Sequence, residues 1–243
     1  MKILNKYKKL ALLSAVVLLG SCAGDEPLKD SQLDLSTPPK TALDNWIDTN
    51  YLLPYNINVQ YKWNPNVVDN NRFLYPPIQA KVQPVLKKKK KIWLESYKAV
   101  AGPNFVKNIA PREFVLVGGV NLNTTGTITL GLAEGGKRIT FFETDNVDKK
   151  NRANIKRFLR TIQHEYIHIL NQTKPFDEKS MATITPTGYS SAWYNTSDAV
   201  ALEEGFLTAY AKSNINEDFA ETAATILVSS KAEYAAILAA IVS

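Results

Sequence analysis

The chain of 243 residues is 45% hydrophobic and 21% charged, a balance that suits a globular protein and excludes a disordered or low-complexity one. Its length supplies core for one large or two small domains. Cys22 is the single cysteine, so no intramolecular disulfide can form, and the formal charge of +6 points to an anionic partner only until its distribution is read.

Lys2, Lys6, Lys8 and Lys9 precede an apolar run over residues 10–19. A bilayer takes about 20 apolar residues, so residues 1–21 are expected to be a secretion signal and not a spanning helix. Without those four lysines the formal charge drops from +6 to +2, and nucleic-acid binding loses its main support. Leu19-Gly20-Ser21-Cys22 resembles the lipobox of bacterial lipoproteins, in which the signal is cleaved before an acylated cysteine. That resemblance implies a membrane anchor at Cys22. Residues 22–40 read as a flexible tether. The acidic residues just after Cys22 resemble the surface-export signal of Bacteroidota lipoproteins, which implies an outer-membrane protein exposed at the cell surface.

The folded domain is expected over residues 41–243. Residues 43–50 predict a short helix, 56–63 a strand, and 82–99 a helix carrying the lysines at 87–91. Successive lysines cannot share one helical face, so this run predicts a solvated surface and not a phosphate-binding stripe. Valine-rich residues 114–122 read as a strand. A hairpin of 127–132 and 138–142 follows, turning near Glu134-Gly135-Gly136. Residues 138–142 are expected to lie at a sheet edge, where they could take an extended peptide by strand addition.

Residues 151–170 carry the strongest helical pattern. Ile155, Phe158, Leu159, Ile162, Tyr166, Ile169 and Leu170 form one apolar stripe. His164 and His168 project roughly opposite that stripe, since each residue advances about 100°. These are the only 2 histidines in the chain, and they frame His164-Glu165-Tyr166-Ile167-His168. Imidazoles at i and i+4 share a helical face and can share one zinc ion. The intervening Glu165 then stands beside the open position, placed to take a proton from water. Tyr166 and Ile167 are read as structural.

A catalytic zinc normally holds three protein ligands. No third histidine exists and Cys22 sits at the expected anchor, so the third ligand must be a carboxylate, which defines a gluzincin. Glu203, Glu204, Glu217 and Glu221 compete downstream. Glu217 and Glu221 stand at i and i+4, so one could bind metal while the other orients a ligand. Spacing alone suits an exposed acidic helix face equally well.

The stretch Glu217-Asp218-Phe219-Ala220-Glu221 resembles an element of the anthrax lethal factor-like gluzincins. The resemblance implies Glu217 as the zinc ligand, Glu221 as its support, and Tyr210, seven residues before Glu217, as a hydroxyl facing the reacting oxygen. With the lipobox, His164-Glu165-x-x-His168-x-x-x-Gln172 and Gly205-Phe206-x-x-x-Tyr210-Ala211, the pattern also resembles Bacteroidota zinc metallohydrolase lipoproteins of nutrient-import loci. Gln172 would then be a second supporting residue. Glu204 remains a rival ligand, because Glu204-Gly205-Phe206 resembles the zinc-binding Glu-Gly-Phe of certain aminopeptidases, although those have a much shorter gap after the second histidine.

These resemblances imply an α+β, zincin-like metalloprotease fold, with a small twisted sheet packed on the active-site helix and a helical C-terminal part. They imply zinc as cofactor, a peptide or protein as substrate, and outer-membrane import proteins as neighbours. A non-catalytic capture lipoprotein with a structural or vestigial zinc site is the alternative. Structural sites usually have four protein ligands, and the retained Glu165 favours catalysis.

Overall fold

The structure, a computed structural model, describes residues 38–148, 150–185 and 187–241. The expected signal, Cys22 and nearly all of the tether lie outside them. Thr41 opens helix α1 (Ala42–Ile47) with a capping box, its side chain and that of Asp44 each accepting from the other's backbone. A π-helical turn (Asp48–Leu52) and a short turn (Leu53–Tyr55) extend it, and Asn56 ends it at φ 55°. The expected strand over 56–63 shortens to β1 (Asn58–Gln60). Helix α2 (Gln79–Lys89) runs through a second π-helical turn (Lys90–Leu94) into α3 (Glu95–Ala101), and α4 (Pro103–Ile109) follows.

Strand β2 (Glu113–Leu116) is shorter than the expected 114–122. A Cβ on Gly118 would stand 2.8 Å from the Tyr75 ring, and one on Gly119 only 2.3 Å from it. The Tyr75 ring lies against this glycine pair, just past the end of the strand. The small hairpin β3 (Asn121–Leu122) and β4 (Ile128–Thr129) forms its own sheet. The larger hairpin pairs β5 (Gly131–Glu134) with β6 (Arg138–Phe141), turning through positive φ at Gly135 and Gly136.

The main sheet has the order β1-β2-β6-β5, with the first two pairings parallel and the last antiparallel. Residues 138–142 therefore do not form an edge: β6 is held on both sides, and β1 and β5 are the two edges. Local sequence cannot show this, because the β2–β6 pairing crosses some twenty intervening residues. Phe114 and Leu116 of β2 enter the main core with Ile139 and Phe141 of β6, while Val115 and Val117 face Val67, Val68 and Leu74 on the opposite side.

Helix α5 (Arg152–Thr173), capped by Asn151, lays Ile162, Tyr166 and Ile169 on that main core. Tyr166 meets the rings of Trp93 and Tyr97 edge-on, at 4.8 and 5.0 Å between centroids. After α6 (Glu178–Ile184) and α7 (Asp198–Glu203), helix α8 (Ile215–Val228) packs Ala220 and Ala224 on Ile167 of α5. Helix α9 (Lys231–Ile241) follows.

The lysine run is not uniformly solvated. Lys89 is 0% exposed, in phase with Val82, Val85 and Leu86, and its Nζ stands 2.8 Å from the Phe141 ring centroid with no hydrogen-bond partner. Position 89 falls one heptad after Val82, a spacing that marks the inward face of α2. Burial holds the Lys89 amine well below the usual lysine range. The unfolded chain then binds more protons than the folded one between the two pKa values, so stability rises with pH towards the ordinary lysine value of 10.5. Lys89→Met should stabilise the domain at neutral pH by about 1–3 kcal/mol, the cost of an unsatisfied buried polar group. It should also flatten that pH dependence, as read by thermal melts across the alkaline range.

Candidate metal centre

Helix α5 is buried nearly all round at its middle, with His164 and Glu165 at 6% and 7% exposure. One face meets the sheet-based core, and the histidine face meets α8 and the turn at Tyr210–Ser213. His164 Nε2 and His168 Nε2 are 3.1 Å apart. Glu217 on the first turn of α8 brings Oε2 to 3.0 Å from His164 Nε2 and 3.2 Å from His168 Nε2. Asn214 positions this carboxylate's helix by accepting from the backbone N–H groups of Asn216 and Glu217.

Two imidazole nitrogens and one carboxylate oxygen thus converge at one point, and they form the candidate metal-ligating group among the described residues. A tetrahedral zinc with bonds of about 2.0–2.2 Å would hold its ligand atoms about 3.3–3.6 Å apart. The three separations need to open by only a few tenths of an ångström, so this donor set fits zinc.

The electrostatics have the same origin. Burial disfavours the charged form of His164, but the Glu217 and Glu221 carboxylates outweigh it and push its pKa up to about 10 in the metal-free chain. Burial also opposes ionisation of Glu217, and the hydrogen bonds with His164 and His168 override it, holding that carboxyl well below the usual range. The site is a ready cation hole. Bound zinc would take the place of the histidine proton, since only a neutral imidazole can bind metal.

Glu221, one turn beyond Glu217, approaches the other face of His164, with Oε1 2.9 Å from Nδ1. The approach is close but not a straight hydrogen bond, and Nδ1 lacks an aligned partner. Tyr210 sets its ring 5.8 Å from the His164 ring, against Trp193 at 4.9 Å. Burial, then the charge of Glu217 and a hydrogen bond with it, raise the Tyr210 pKa, so its hydroxyl stays protonated as a donor.

Glu165 points to β5. Its pKa is raised chiefly by burial, against the pull of His164 and His168, and the Ala133 N–H donates to its carboxylate. A Cβ on Gly131 would lie 2.6 Å from the Glu165 side chain. Gly131 therefore clears the space this carboxylate fills, a role that sequence reading missed. A glycine at the start of a strand is its only signal.

Gln172, one helical turn beyond His168 on α5, is exposed and sits over the β5–β6 turn, 2.2 Å from where a Gly136 Cβ would be. Glu204 lies outside the cluster and pairs with Lys212.

A family profile described as "Putative zinc-binding metallo-peptidase" matches residues 36–243. The chain belongs to that family. A crystal structure from Bacteroides caccae with the same description is 30% identical, superposes with a TM-score of 0.64, and covers 82% of this chain and 76% of its own. No curated protein matches. The matched region takes in every ligand of the candidate centre, so the metallo-peptidase family and the converging donors point to the same place.

Proposed function

We propose that this protein is a zinc-dependent peptidase of the gluzincin type, hydrolysing peptide or amide bonds. The observation that carries this reading is the placement of buried Glu165 between the two histidines that face Glu217, with β5 as a free edge beside it. His164, His168 and Glu217 would hold the metal. When bound, zinc supplies Lewis-acid polarisation of the scissile carbonyl and of the attacking water.

The remaining steps belong to the chain. Glu165 takes the proton as water attacks the carbonyl carbon, and delivers it to the departing amine as the C–N bond breaks. Tyr210 donates a hydrogen bond to the oxygen on which negative charge develops. An extended peptide can pair with the open side of β5, which brings its backbone alongside Glu165.

Tyr210→Phe should keep zinc stoichiometry and lower kcat about 100- to 1,000-fold, the usual cost of losing one such donor. Zinc content measured with cleavage of a mixed peptide library, before and after chelation, tests the function as a whole. The expected result is about one zinc per chain and cleavage that chelation abolishes and zinc restores. Stoichiometric zinc with no cleavage of any peptide would instead favour the capture lipoprotein.

The lipobox-like sequence at Cys22 and the acidic residues after it support the further proposal of lipid anchoring in the outer membrane. Import proteins of that membrane are the proposed neighbours. Among the described residues no helix is long and apolar enough to cross a membrane.

A further inference from the structure

Glu221 divides its two oxygens between different tasks. Oε1 faces His164 Nδ1 at 2.9 Å, whereas Oε2 accepts from Arg160 Nη2 at 2.6 Å and from Thr208 Oγ1 at 2.7 Å. Thr208 is itself oriented, because the Ala211 N–H donates to its Oγ1 at 3.1 Å and leaves its proton directed at Glu221. Arg160 lies one helical turn before His164 on α5, Glu221 is on α8, and Thr208 opens the turn that carries Tyr210. Glu221 and Thr208 are buried at 4% and 6% exposure. A carboxylate gripped by two donors at one oxygen cannot rotate without losing both.

We propose that Arg160 and Thr208 are positioning residues of the metal centre. Together they lock Glu221 so that it sets the ring plane of His164, and Thr208 ties the Tyr210 turn to the same carboxylate. Neither residue touches the converging ligand atoms, and both act through Glu221. Arg160 thereby joins the start of the histidine turn to α8, and Thr208 joins the oxyanion donor's turn to that pair. Partners that orient a ligating histidine typically account for about 10- to 100-fold in metal affinity.

The inference rests on His164 being a zinc ligand, and the experiment separates the two ideas. Zinc dissociation constants, measured by competition with a chromogenic chelator, are compared for the wild type, Arg160→Met, Arg160→Lys, Thr208→Val and Glu221→Ala. Melts of the metal-free proteins report folding. If the wild type binds no zinc, the peptidase reading falls. Given wild-type binding, Arg160→Met and Thr208→Val should each weaken affinity about 10- to 100-fold with near-native metal-free melts, and Arg160→Lys should recover most of the loss. Placed on the Glu221→Ala background, Arg160→Met should cause no further loss, because its route to His164 is already gone. Unchanged affinity in both single variants, or a full additional loss on that background, would overturn the proposal. Should Arg160→Met fail to fold, Thr208→Val and its combination with Glu221→Ala carry the same two outcomes.

Discussion

Glu165→Gln is expected to retain zinc at wild-type stoichiometry and lose about 100- to 10,000-fold in kcat, the usual contribution of a positioned general base. The amide is nearly isosteric, so it fills the space that Gly131 leaves open. It can still meet the Ala133 N–H through its carbonyl oxygen, as the carboxylate does. What it cannot do is accept a proton from water. Because Glu165 is not one of the three converging donors, metal binding should survive. Parallel measurement of zinc content and initial rates separates the two properties. A variant that loses zinc together with activity would show that Glu165 supports the metal, and one that keeps full activity would remove it from the mechanism.

The second large effect is expected at Glu217. Its Oε2 stands 3.0 and 3.2 Å from the two histidine nitrogens, so Glu217→Ala removes one of three donors and the negative charge that draws a cation into the site. Zinc should then be lost on dialysis and peptide cleavage fall to background, while Glu204→Ala, at a carboxylate already paired with Lys212, should leave both unchanged. The reverse pattern, zinc retained in Glu217→Ala and lost in Glu204→Ala, would transfer the ligand role to Glu204. The metal-free fold should persist in Glu217→Ala, because Ala220 and Ala224 of α8 pack on Ile167 without the carboxylate.

Some of this architecture could be read from the chain and some could not, for physical reasons. Helix α5 was legible because its stripe repeats at 3.6 residues over several turns, and that repeat also separates the histidine face from the core face. Glu217 was one carboxylate among four until a resemblance singled it out, since its neighbour in space is 49 residues away and periodicity says nothing about such distances. The order of the sheet was hidden for the same reason. Residues 138–142 look alike as an edge or an interior strand, and only the parallel partner β2 decides between them. Lys89 misled because charge usually marks a solvated face, yet its spacing from Val82 placed it inward. Gly131 carried too little information: the requirement that it have no side chain comes from Glu165, a residue far along the chain.

The division of the ligands between two helices has a mechanical side. His164 and His168 belong to the helix that anchors the sheet-based core, while Glu217 belongs to the C-terminal helix packed against it. An ion gripped by all three would be a reversible crosslink that closes a chain segment 49 residues long, and it would hold by coordination what a chain with a single cysteine cannot hold by an internal disulfide. Bound zinc would thus add a tether between α5 and α8 to the packing of Ala220 and Ala224 on Ile167, which holds the two helices together without it.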